Sequence, residues 1–247
     1  MELIRAIRAE WVKAVLSRPF GIVLIPLLLI SLFFVMVADF NEDRFSHDFV
    51  FGVTTFVSIL FLQAAHGYDL IAIALAVVSV AKEIRDGTVS MNLAGLSRRW
   101  TLYAAKLIAL SSVLAVLVAA QILVSLLAWI LFRGPVPLAS RPDVLLKLAG
   151  LNLSLVLPGA VLVLAAVMLI GQFTSPTGTA LGGIGFVGLL QLLHLVPVLE
   201  AFLPVDPAGV LYGPEDPHTT GYFLTFLYIA IFVAAGLAAW SRRQLPG

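Results

Sequence analysis

Long uncharged apolar runs, separated by short charged stretches, set the pattern of this chain. A helix needs about 20 apolar residues to cross a hydrocarbon layer of about 30 Å. Runs of that size occupy residues 20–38, 107–132, 148–170, 180–199 and 222–240. The stretch from Phe49 to Ala81 fits less simply. As one helix it would be roughly 50 Å long at about 1.5 Å per residue, and it contains His66, Gly67, Tyr68 and Asp69. Either it crosses twice, or one part crosses while another lies flat or re-enters.

Loop charge decides between these, because Lys and Arg in short loops stay in the cytosol. With a single crossing here, Arg5, Arg8, Lys13, Arg18, Lys82, Arg85, Arg98, Arg99, Lys106, Arg242 and Arg243 share the cytosolic side. Only Arg44, Arg133, Arg141 and Lys147 fall outside. A double crossing would put the basic stretch 82–106 outside, against the N-terminal group. The second crossing is therefore placed at 59–81, with 49–58 as an entry segment in the outer leaflet. The expected fold class is all-α: six transmembrane helices forming a single domain over 1–247, both termini cytosolic, in the cell membrane.

The ends and loops add detail. Ile4, Ile7, Trp11 and Val15 recur at helical spacing while Arg5, Arg8 and Lys13 lie on other faces, which predicts an interfacial amphipathic helix over 1–18. A plain cytosolic extension of the first crossing is the other reading. Between the last two crossings, residues 200–219 hold Pro204, Pro207, Pro214 and Pro217 among apolar side chains. That segment is too apolar for a free loop and too broken to cross, so a re-entrant or interfacial outer cap is expected. The fourth and fifth crossings are joined by Gly171-Gln172-Phe173-Thr174-Ser175-Pro176-Thr177-Gly178, an uncharged turn.

Composition agrees with the pattern: 61% of residues are hydrophobic, 12% are charged, and the mean hydropathy is +1.06, against about a quarter charged in an ordinary soluble domain. The net charge of +1 gives no field for nucleic acid. There is no cysteine, which removes disulfides, thiolate catalysis and Cys-based metal sites. The first apolar run is too long for a signal-peptide core and is followed by acidic Asp39, Glu42 and Asp43.

Catalytic patterns are missing as well. No phosphate-binding G-x-x-x-x-G-K-[ST] loop, H-E-x-x-H or G-x-S-x-G occurs, so any use of ATP falls to another chain and no enzyme activity is expected of this one. His47, His66, His194 and His218 are scattered, which does not suit a metal site. His66 and Asp69, three apart on one helical face at membrane depth, are the candidate proton relay or substrate contact. His194, alone among leucines, reads as a hydrogen-bonded packing residue.

The longest cytosolic loop, 82–106, carries the most informative residues. Gly87 suits the left-handed position that ends a helix, and Thr88 can cap the next one. Beyond it a short helix presents Met91 and Leu93, Gly95 stops it, and Ser97 can cap the helix bearing Arg98, Arg99 and Lys106. Small apolar helices flanked by basic residues suit docking on a soluble partner. A connecting loop held by its positive charge is the plainer reading.

Glu83-Ile84-Arg85-Asp86-Gly87-Thr88, followed by Leu96-Ser97-Arg98 and Lys106, resembles the permease subunits of type-2 ATP-binding-cassette (ABC) exporters. There an acidic residue, Gly-Thr, Pro-x-Ser-Arg and a Lys entering the third crossing recur; here Gly95 stands where Pro is common. The resemblance covers the layout of the whole chain and, in motif, residues 82–106. It implies that Glu83, Arg85, Gly87, Thr88, Met91, Leu93, Ser97, Arg98 and Arg99 form a coupling segment docked on a separate ATPase subunit. Phe173, Thr174 and Pro176 would make a second ATPase contact. It further implies a second permease chain, ATP and Mg on the partner subunit with no cofactor in this chain, a prokaryotic cell membrane, and export of an amphipathic drug, peptide antibiotic or lipid. An ion-coupled secondary transporter using His66 and Asp69 and a non-transport membrane assembly protein are the rival readings.

Sidedness has a direct test. In this cysteine-free chain, Thr88→Cys is expected to resist a membrane-impermeant maleimide applied to intact cells and to label after permeabilisation. Labelling from outside would overturn the topology.

Overall fold

A computed structural model of the chain describes residues 2–16, 67–89, 99–133, 150, 152–200, 202–205 and 219–242. Among the described residues the structure is helical, without strands. Helix α1 spans Glu2–Leu16; α2 covers residues 67–85; α3 is Arg99–Arg133. Helix α4 covers Asn152–Ile170, α5 is Pro176–His194, α6 is the single turn Pro197–Glu200, and α7 is Thr219–Arg242. Four of these, α3, α4, α5 and α7, are long and apolar enough to cross a membrane.

The boundaries differ from the sequence expectation where local chemistry extends or stops a helix. The helix expected to bear Arg99 and Lys106 at the end of the 82–106 stretch is continuous with the third crossing as α3, because nothing between Arg99 and Leu107 breaks it. Helix α5 begins at Pro176 rather than 180. The Ser175 hydroxyl accepts from the Gly178 amide at 3.1 Å, and proline at the first helical position has no amide to leave unpaired. It stops at His194 instead of 199. The expected first crossing at 20–38, the 49–58 entry segment and most of the 200–219 cap lie outside the described residues.

Helix α4 is the centre of the bundle. More than half of its membrane-length window is buried, against a small fraction for α5 and α7, and it packs on α3, α5 and α7. Its N-terminal part, Asn152–Val156, is a widened π turn. Pro158 explains the distortion, because it offers no amide to the carbonyl four residues earlier. A second π turn, Val77–Lys82, lies in α2 just before Glu83.

Cross-helix contacts fix which helix ends lie together. At one end, the Gln172 amide nitrogen donates to the Gly236 carbonyl at 3.2 Å, and the rings of Tyr103 and Trp240 sit 5.7 Å apart. At the other, the Tyr68 hydroxyl donates to Gln121 Oε1 at 2.7 Å and to the Leu117 carbonyl at 3.1 Å. There too the Val205 amide donates to Thr225 Oγ1 at 3.1 Å. Successive long helices therefore run antiparallel. The start of α3, the end of α2, the 171–175 turn and the end of α7 gather at one end of the bundle.

Glycines set the closest approaches. A β-carbon at Gly183 would lie 2.9 Å from Ile73 and 3.0 Å from Val167, whereas one at Gly188 meets nothing within 4 Å. Gly183→Ala is expected to destabilise the chain by about 1–3 kcal/mol through overpacking. Gly188→Ala is expected to be neutral or stabilising by about 0.5–1 kcal/mol, through the helix preference of alanine. Thermal unfolding of the solubilised chain, comparing the two variants, checks both.

Candidate functional site

The N-terminal helix, the end of α2 and the start of α3 meet at a group of four charges centred on the buried Lys106 and Glu10. Lys106 is fully buried and its ammonium donates to Glu10 Oε2 at 2.6 Å and to Glu83 Oε2 at 2.8 Å. Lys13, half-exposed, donates to Glu10 Oε1 at 2.8 Å and lies 3.7 Å from Glu83 Oε1. Two carboxylates and two ammonium groups make the set neutral, so each buried charge has a partner and desolvation is offset locally.

Local sequence explains why the side chains arrive there. Glu10 and Ala14, one turn apart, are the buried positions of α1 and face α3. Lys106 falls two turns into α3, within the window Trp100–Val124 that is apolar enough to lie in a membrane. A lysine at that depth needs anionic partners. Glu83 follows the π turn in α2, and the added residue in that turn rotates what comes after it.

Past Glu83 the helix ends as the residue types require. Gly87 adopts φ +71°, the left-handed conformation that terminates helices, and the amides of Asp86 and Gly87 donate to the Lys82 and Ile84 carbonyls. The Thr88 hydroxyl donates back to the Glu83 carbonyl at 3.3 Å. It thus closes the helix behind it; the stretch it was expected to cap continues beyond Val89, outside the described residues. Arg85 is exposed and, among the described residues, pairs with its exposed neighbour Asp86 at 3.1 Å, a weak surface contact. Glu83, expected among the docking residues, has its carboxylate turned inward to Lys106. Arg99 opens α3; Met91, Leu93, Ser97 and Arg98 lie outside the described residues.

The 171–175 turn stands at the same end. Phe173 is 73% exposed and Thr174 is exposed, while Pro176 is half-buried at the first position of α5. The Thr174 hydroxyl donates to the Ile170 carbonyl at 3.1 Å and meets Thr179 Oγ1 at 2.9 Å. These two bonds hold Phe173 outward on a stiff turn.

A second polar group lies at the far end. Asp69, Gln191 and His194 line a small cleft of about 40 Å³, walled by Val156, Leu162, Val187 and other apolar side chains and covered by Pro204 and Val205. His194 bridges the Leu190 carbonyl at 2.7 Å and the Pro204 carbonyl at 2.9 Å, so it ties the segment after α6 to α5, as a hydrogen-bonded packing residue would. His66, the expected partner of Asp69, lies outside the described residues. Among the described residues no three His, Cys, Asp or Glu side chains gather as a metal site.

Sequence reasoning placed Lys106 in its basic loop and did not see Glu10 as its partner. The available signal was an acid in the middle of α1, between basic and apolar neighbours, and a lysine at the head of an apolar run. No protein family, curated protein or solved structure matches the chain.

Removing one charge from a buried set strands the others. Lys106→Met is expected to destabilise the chain by about 3–5 kcal/mol. Adding Glu10→Gln and Glu83→Gln to it should recover most of that loss. Denaturation of the solubilised variants measures both; equal stability of Lys106→Met and the parent would show that the cluster does not hold the helices.

Proposed function

We propose that this chain is the permease subunit of an ATP-driven exporter, paired with a second permease chain and coupled to two separate ATPase subunits that bind ATP and Mg. The observation that supports this reading most directly is the single end of the bundle where α1, the Glu83–Thr88 turn, the head of α3 and the Phe173 turn come together. A motor protein binding the exposed Arg85, Gly87 and neighbouring loop would pull on Glu83. Glu83 is bonded to Lys106, and Lys106 to Glu10, so the displacement passes to α3 and α1 as one rigid movement. In this reading Phe173 and Thr174 form the lesser ATPase contact, the bundle end carrying these residues faces the cytosol of a prokaryotic cell, and the chain spans the membrane six times. The apolar crossings suit an amphipathic cargo such as a drug, peptide antibiotic or lipid.

One observation favours a second reading. The cleft with Asp69, Gln191 and His194 lies beside the proline-distorted start of α4, and polar groups at a broken helix suit an ion-coupled secondary transporter.

Affinity purification of the tagged chain from its native cells separates the two. Under the exporter reading an ATPase subunit accompanies the chain, and Arg85→Glu with Arg98→Glu reduces that association at least tenfold, about 1.4 kcal/mol. Glu83→Gln should leave the association intact but lower transport per ATP hydrolysed. Ion-driven transport by the reconstituted chain alone, with no ATPase, would favour the second reading and remove the first.

A further inference from the structure

The two long sides of α1 carry opposite chemistry. Its protein side is Glu10 and Ala14, buried against α3. Its outward side holds Arg5, Arg8, Val12 and Leu16, all exposed, with Ile4 at 71% exposure at its edge. At 100° per residue, Arg5 and Arg8 fall about 60° apart on that side, and exposed Glu2 stands at its other edge, one turn before Arg5.

The level of α1 relative to the bilayer follows from its contacts. Glu10 is bonded to Lys106, about 9 Å along α3 from Trp100 at about 1.5 Å per residue, and Trp100 opens the apolar window of that helix. Trp11 and Trp100 are both partly exposed at this end, as aromatic side chains are at a headgroup layer. On an interfacial helix at this end of the bundle, the long side chains of Arg5 and Arg8 can extend to lipid phosphates while the apolar side chains between them reach the acyl boundary. Guanidinium groups bind phosphate in a fixed fork geometry.

We propose that Arg5 and Arg8 bind the headgroups of anionic phospholipids, and that Glu10, on the opposite side of the same helix, passes their occupancy through Lys106 to Glu83 and the Arg85–Thr88 turn. The link is a chain of charged hydrogen bonds at 2.6 and 2.8 Å, and breaking either by a shift of α1 alone would strand a buried charge. The inference rests on the membrane-surface placement of α1 and not on an ATPase partner, so its failure leaves the exporter reading standing.

The purified full chain, titrated with phosphatidylglycerol, phosphatidylcholine or inorganic phosphate, tests the first half by thermal unfolding. Phosphatidylglycerol is expected to raise the melting temperature saturably, with no effect of phosphatidylcholine or free phosphate. Arg5→Gln with Arg8→Gln should weaken the apparent affinity for phosphatidylglycerol by roughly 10- to 30-fold. Equal shifts with all three additives, or an unchanged affinity in the double variant, would overturn the lipid site. For the second half, Arg85→Cys supplies a lone thiol in this cysteine-free chain. Its labelling rate should respond to phosphatidylglycerol, and the response should vanish with Glu10→Gln while lipid retention, read by mass spectrometry, persists. A response that survives Glu10→Gln would refute the relay.

Discussion

Lys106 is a lysine with no exposure to solvent, placed within an apolar helix, and its two carboxylate partners lie 96 and 23 positions earlier in the chain, on two different helices. An unpaired ammonium there would be prohibitively costly. Glu10 and Glu83 must therefore be present together, and their presence fixes the rest of that end of the bundle. Helix α1 has to lie on α3 at the level of Lys106, and α2 has to end beside it. The π turn before Glu83 becomes intelligible as the adjustment that delivers a carboxylate to this position.

The same economy of polar groups runs through the apolar body of the bundle. Tyr68 with Gln121, Gln172 with the Gly236 carbonyl, and Thr225 with the Val205 amide each join two elements across an otherwise apolar interface. In a hydrocarbon surrounding, helices gain little from burying one apolar face against another, because lipid offers the same contact. Close packing and a few hydrogen bonds then decide which faces meet. Gly183 lets α5 approach Ile73 and Val167, and Gly236 leaves room for the Tyr103 ring beside Trp240. Both glycines act through the space a β-carbon would fill.

These constraints bear on how force could travel. The end that holds the ion cluster is joined by charged hydrogen bonds, a tilted Tyr103–Trp240 ring pair and a hydroxyl-closed turn at Thr174. The far end is held differently, by His194 bridging two backbone carbonyls and by the Tyr228 hydroxyl donating to the Phe202 carbonyl at 3.0 Å. Helix α4 reaches that end through a distorted π turn. A displacement applied at the cluster is carried by rigid helices toward the end where backbone regularity has already been given up.

The amino-acid sequence alone determined that the chain is helical and apolar on a scale that matches a bilayer, that Gly87 breaks the helix after Glu83, and that the basic residues crowd into a few stretches. Those features are local: run length, a single φ preference and charge density can be read along the chain without knowing any neighbour. Helix ends were legible only within a few residues, because caps such as Ser175 with Pro176 and the absence of a breaker after Arg99 shift them. Tertiary structure decided which side of α1 is buried and which acid neutralises Lys106. Hydrophobic periodicity marked Ile4, Ile7, Trp11 and Val15 as the stripe of an interfacial helix and gave no sign that the side buried against the protein centres on Glu10 and Ala14. The reason is physical: a charge pairs with whatever opposite charge the fold brings near, and the Glu10–Lys106 bond joins residues 96 positions apart, a distance over which no sequence pattern carries information.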